Sequence, residues 1–201
     1  MQDDRLWRAL FAVGGVVMAV GGPLHPRDAT MQAMLVNPDW FPSHLAQLIG
    51  FALMTLGLMR FRRVVPLSPA VRRWSGLAAI GLALQTVEMG FHLASMVDAD
   101  RLAAGAATPV LSTHIVLAVT IYPLLAVLMG GFVIVAGRTR ELGTPWLAPL
   151  AILGLVAQAV AVLLVVGLDM QAARIGFPMV IAFAIWTVVV SLLPRRATPS
   201  A

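Results

Sequence analysis

Gln85, Glu88 and His92 stand three and four residues apart in the stretch QTVEMGFHLAS, inside a run that is otherwise apolar. On a helix that spacing puts all three side chains on one face. A carboxylate one turn from an imidazole can ligate a metal, orient a ligating histidine or act as a general base. The other histidines, His25, His44 and His114, each mark the end of a different apolar run. Imidazole is the commonest side-chain metal ligand and a common axial ligand of haem iron. Three or four histidines with one carboxylate suit Zn, Cu, Fe or Ni. The chain has no cysteine, which excludes disulfides, thiolate metal sites and thiol redox chemistry.

The elements that must position these residues are membrane helices. Of 201 residues, 60% are hydrophobic and only 11% charged, against about a quarter charged in soluble domains. A soluble core of this size could not hide so much apolar surface, so lipid is the expected solvent. Six runs approach the length of about 20 residues that spans a bilayer. They are 6–24, 44–59, 74–97, 110–136, 146–168 and 175–193. Trp40 and Phe41 extend the short second run as interfacial anchors. Segments rich in Pro, Gly, Asn and Asp separate the runs, and no long polar segment occurs. The expected architecture is all-α: a polytopic integral membrane protein of six transmembrane helices, one membrane domain over 1–201. Helices 1–4 would form a bundle around an outward-facing polar site. The N-terminal segment resembles a signal peptide in its charge and apolar run. It is followed by GGPLHP instead of a small-residue cleavage site, and is read as a retained first helix.

All fourteen basic residues are arginine, and they sit at the ends of the apolar runs. Arg5, Arg8, Arg60, Arg62, Arg63, Arg72, Arg73, Arg138, Arg140, Arg195 and Arg196 fall on one side; Arg27, Arg101 and Arg174 fall on the other, with Asp28, Asp39, Asp98, Asp100 and Asp169. Eleven against three is a positive-inside signal. It puts both termini in the cytoplasm of a bacterial-type plasma membrane and speaks against nucleic acid as a partner, despite the pI near 11.4. Asp28, Asp98 and Asp100 read as solvated loop acids.

That topology puts one histidine on each of helices 1–4, near the outer end. At 1.5 Å per residue, His25, His44 and His92 lie roughly 24–29 Å above Arg8, Arg60 and Arg73, and His114 about 36 Å above Arg138, along a helix containing Pro123. The segments SHLAQLIGFALMTLGL and STHIVLAVTIYPLLAVL also share an order of serine, histidine and apolar helix, which suggests a loose hairpin repeat. Gln47, Gln85 and Tyr122 fall at depths that support a common polar layer. A Tyr122–Glu88 hydrogen bond is expected.

Three readings follow. In the first, a transition metal ion (Zn, Cu or Fe) is held by His25, His44, His92 and His114, with Glu88 as catalytic base or fifth ligand. An enzyme acting on a lipid or other apolar substrate is the catalytic form of this reading. In the second, a b-type haem electron carrier exchanging with quinone uses His25 and His92 as an axial pair, with Arg27 and Arg101 pairing to the propionates; His44 with His114 is the other candidate pair. In the third, the polar residues are structural: His25 caps helix 1, His44 and His114 are wet helix starts, and the protein is a non-catalytic membrane subunit. All four histidines lie toward one face, which favours one ion or a close pair of ions over two stacked haems. No H-E-x-x-H, H-x-x-x-H or G-x-S-x-G motif occurs.

Overall fold

The computed structural model describes residues 2–168 and 170–194. Asp169, Arg195 and Arg196, used above to orient the chain, lie outside the described residues. Every regular element among those described is helical. The long helices are α1 (Gln2–Gly21), α3 (Trp40–Val64), α4 (Pro69–Ala94), α6 (Pro109–Thr139), α7 (Ala148–Val162) and α8 (Val180–Leu192). Two short helices not foreseen from the sequence, α2 (Met31–Leu35) and α5 (Ala99–Ala103), lie in the connections. Four helical segments are long and apolar enough to cross a membrane: Trp40–Val64, Pro69–Ala103, Pro109–Thr139 and Pro145–Gly167. The first expected span is helical over 20 residues, but its first turns carry Asp3, Asp4, Arg5 and Arg8. The last is an apolar helical stretch of shorter length, Gly176–Leu192. Six spans are therefore not established by length and composition alone.

The six long helices form a closed antiparallel ring. Each packs on the next in the order α1, α3, α4, α6, α7, α8, and α8 returns to α1. Glycines set the closest approaches. A Cβ on Gly14 would stand 2.8 Å from the Gly50 carbonyl oxygen, and one on Gly50 would stand 2.9 Å from that of Gly14. Bare backbone therefore meets bare backbone between α1 and α3. The Arg8 guanidinium closes the ring at its other end, donating to the Ser191 and Leu193 carbonyls at 2.8 Å each. Trp7, Phe11, Phe61, Phe132 and Trp186 fill the interior. Outward, the ring presents Val16, Leu56, Val87, Val127, Leu153 and Ile185, one from each long helix and each about half exposed or more.

Two carboxylates fix α4 against α6. Asp98, just past α4, accepts from the Val110 and Leu111 amides at 2.8 and 2.9 Å and so caps the start of α6. Glu141, just past α6, accepts from the Ser68 amide at 3.0 Å at the start of α4. Both acids are buried. Asp98 is thus not the solvated loop acid expected from the sequence. Helix α6 begins at Pro109 without a side-chain cap of its own, and Asp98 supplies the missing acceptor.

Candidate metal centre

The ring brings the four histidines to one end. His25 follows α1, His44 lies one turn into α3, His92 is in the last turn of α4, and His114 is near the start of α6. The extra height expected for His114, about 36 Å above Arg138 against roughly 24–29 Å for the other three, disappears in the pairing register. Trp74 lies against Gly131, so His92, eighteen residues on from Trp74, is level with His114, seventeen residues before Gly131. The extra length of α6 projects at the arginine end instead.

The rings form a continuous chain of contacts. Ring centroids are 4.8 Å apart for His25 and His44, 4.1 Å for His44 and His92, and 3.8 Å for His92 and His114. Candidate ligand atoms of His25, His44 and His92 all lie within 4.8 Å of one another, and those of Glu88, His92 and His114 do likewise. A tetrahedral ion with Zn–N bonds of ~2.1 Å holds its donors about 3.4 Å apart, so small ring rotations close either group.

Hydrogen bonds fix which ring nitrogens are free. A carbonyl only accepts, so His25 Nδ1 donates to the Pro26 oxygen at 2.8 Å and His44 Nδ1 to the Trp40 oxygen at 2.6 Å. His114 Nδ1 donates to Glu88 Oε1 at 2.7 Å. Each of these rings is left with an Nε2 lone pair, and holding the opposite N–H on an oxygen is how proteins orient ligating histidines. His44 Nε2 and His92 Nδ1 are buried with no hydrogen-bond partner. Buried polar atoms are rarely left unpaired, and a bound ion is one standard cause. Outside the membrane helices, burial and nearby Arg174 hold His25 below its ordinary pKa, which keeps its lone pair available.

Glu88 is fully buried and uses both oxygens: Oε1 accepts from His114, and Oε2 accepts from Gln85 Nε2 at 2.6 Å. The expected Tyr122–Glu88 bond does not form. The Tyr122 hydroxyl donates to Met89 Sδ at 3.6 Å, beside the Gln85 and Gln158 amides. Gln47 is buried one turn after His44, with its side chain against Gly21 of α1. Arg27 is exposed near His25. Arg101 is also exposed, and its Nε donates to its own loop at Ala107 O, 2.7 Å away.

Trp40 belongs to the site and was read from the sequence only as an interfacial anchor. It is 1% exposed, and its ring lies 4.1 Å from that of His44 and 5.3 Å from that of His92. Its spacing of four residues before His44 was the available signal. Trp40 also packs with Leu35 and Ala99. Those two residues help line an open groove of about 400 Å3, with Val36, Phe41, Met96 and Val97.

Comparison with known families, with characterised proteins and with solved structures returns no match for this chain. What the fold and the site define is a class: an all-helical protein with four helices able to cross a membrane and a histidine–glutamate cluster at one end of its helix ring.

Proposed function

We propose that the protein is a six-span membrane protein that binds a transition metal ion through its histidine cluster near the outer face. His25, His44 and His92 hold the ion, and Glu88 and His114 stand beside it. The observation that carries this reading is the pair of unpartnered buried nitrogens, His44 Nε2 and His92 Nδ1, beside His25 and His44 Nδ1–H groups that are held by oxygen. The six-span topology is supported by the apolar outward face of every long helix. The arginine distribution supports both termini being cytoplasmic in a bacterial-type plasma membrane.

An enzyme acting on a lipid or other apolar substrate is the catalytic form of the proposal, with Glu88 as base. The groove beside Trp40, lined by apolar side chains together with Asn37 and Asp100, suits a substrate with both apolar and polar parts, such as a lipid. Haem fits less well. An axial pair must leave the thickness of a macrocycle between its rings. His25 and His92 are 6.0 Å apart, with His44 at 4.8 and 4.1 Å from them; His92 likewise stands between His44 and His114.

The test is elemental analysis and a visible spectrum of protein purified in detergent without chelators. The expected result is a transition metal in stoichiometric amount, no Soret band, and loss of the ion held by His25, His44 and His92 in His44→Ala and His92→Ala. A Soret band with stoichiometric iron would replace this reading with the haem carrier. A folded protein that takes up no ion even after incubation with zinc, copper or iron would leave the cluster structural.

A further inference from the structure

The cluster contains two three-ligand groups, not one, and His92 is common to both. We propose that the centre takes two ions bridged by His92, one bound by His25, His44 and His92 and the other by His92, Glu88 and His114; this rests on the metal-binding reading above.

Imidazole carries its two nitrogens on different edges of the ring, so one histidine can serve two ions once both nitrogens are deprotonated. His92 is the ring free to do so. The Nδ1 atoms of His25, His44 and His114 are each engaged with an oxygen at 2.8, 2.6 and 2.7 Å. His92 Nδ1 is buried without a hydrogen-bond partner and faces Glu88 Oε1 at 3.9 Å. His92 is also central by position, with His44 and His114 at 4.1 and 3.8 Å.

The two positions differ in chemistry. The first offers imidazole nitrogen alone; the second adds the carboxylate of Glu88, whose negative charge partly neutralises a second cation. Filling the second position has a defined proton balance. The His92 ring gives up its N–H proton to become the bridge. A neutral His114 that binds through Nδ1 carries its proton on Nε2 instead, and one that turns to present Nε2 keeps the proton on Nδ1, so this ring releases none. One proton, that of His92, passes to water as the second ion enters. The near-parallel stack of His92 on His114, at an interplanar angle of 22°, must open for the two lone pairs to converge.

The experiment uses the whole chain in detergent, stripped with chelator and titrated with Co(II), with cobalt counted after desalting. The expected result is two cobalt ions per wild-type chain, taken up in two steps, with one proton released in the second. Glu88→Gln and His114→Gln should each retain one, as should His25→Ala. With copper as the probe, the bridged wild-type pair should show an EPR signal well below the total copper, and Glu88→Gln should return it to one spin per copper. One ion in the wild type, unchanged in Glu88→Gln, overturns the two-ion proposal and leaves the single-ion reading standing. No ion in the folded wild type overturns both. The wild-type count and EPR intensity decide between these outcomes even if a variant fails to fold.

Discussion

Removing the Glu88 carboxylate tests whether the cluster is held together before any metal arrives. Glu88→Ala deprives His114 Nδ1 and Gln85 Nε2 of acceptors that stand at 2.7 and 2.6 Å, in the range of charge-assisted bonds. Each buried donor left unpaired costs about 1–3 kcal/mol. Removing the buried charge recovers part of the desolvation that Glu88 itself suffers, so the net loss should be about 2–3 kcal/mol, nearer the middle of that range than the sum. A double-mutant cycle separates the pair from these side effects. Glu88→Ala, His114→Ala and the double variant should give a coupling energy of about 1.5–3 kcal/mol in metal-free protein. The assay is equilibrium unfolding in mixed micelles with rising SDS, followed by tryptophan fluorescence. A coupling below about 0.3 kcal/mol, within the additivity expected of independent sites, refutes the assignment of Glu88 as the fixed acceptor of His114.

Other perturbations follow from the same contacts. Asp98→Ala removes the acceptor of the Val110 and Leu111 amides and should cost about 1–2 kcal/mol, as lost helix caps do; faster amide hydrogen exchange in the first turn of α6 reads it directly. Gly50→Val drives a side chain against the Gly14 carbonyl and Met18, and should lower stability by about 1–3 kcal/mol by the same unfolding assay; because α1 and α3 carry the residues leading to His25 and His44, metal retention should fall with it. His25 has a folded pKa below its ordinary value, so the folded state takes up its proton less readily than the unfolded chain. Its contribution is complete above pH ~6.5 and is lost as pH falls from there toward the folded value. The melting temperature of metal-free protein should therefore drop between pH 7 and 5, and His25→Ala should show a smaller drop.

The sequence carried much of this site because its chemistry is sparse. Four histidines and one glutamate in apolar runs stand out wherever charge is expensive, and arginines at the run ends gave a common depth for His25, His44 and His92. The helix face shared by Gln85, Glu88 and His92 was also readable, since it depends only on the helical period. Convergence was not. It depends on which helices are neighbours and on their register, and those are set by backbone contacts such as Gly14 on Gly50 and by Trp74 meeting Gly131. Hydropathy is blind to both. The same blindness hid Asp98 and Trp40, each of which looks like an ordinary loop or interface residue until its partner on another helix is known. It also produced the wrong partner for Tyr122: depth put the hydroxyl level with Glu88, but depth says nothing of direction, and the hydroxyl is turned to Met89 Sδ.

The positions of the two buried acids beyond the cluster explain how a ring of smooth apolar helices keeps imidazoles in register. Apolar packing between helices tolerates sliding, because one valine or leucine contact resembles the next. Asp98 and Glu141 tolerate little, because each must meet particular backbone N–H groups at 2.8–3.0 Å in a buried setting. One lies past the end of α4 and the other past the end of α6, so together they pin this antiparallel pair at both termini. A slip of one residue, about 1.5 Å, would break both clamps and would also carry Glu88 away from His114, whose 2.7 Å bond has no such slack. The pair pinned in this way is the one that supplies Glu88, His92 and His114. The α1–α3 side is set by the glycine contact, and the imidazoles of His25 and His44 are steered by the Pro26 and Trp40 carbonyls. The two halves meet at His92, so the central ring of the cluster is positioned by the pair clamped at both ends and approached by the ligands of the other.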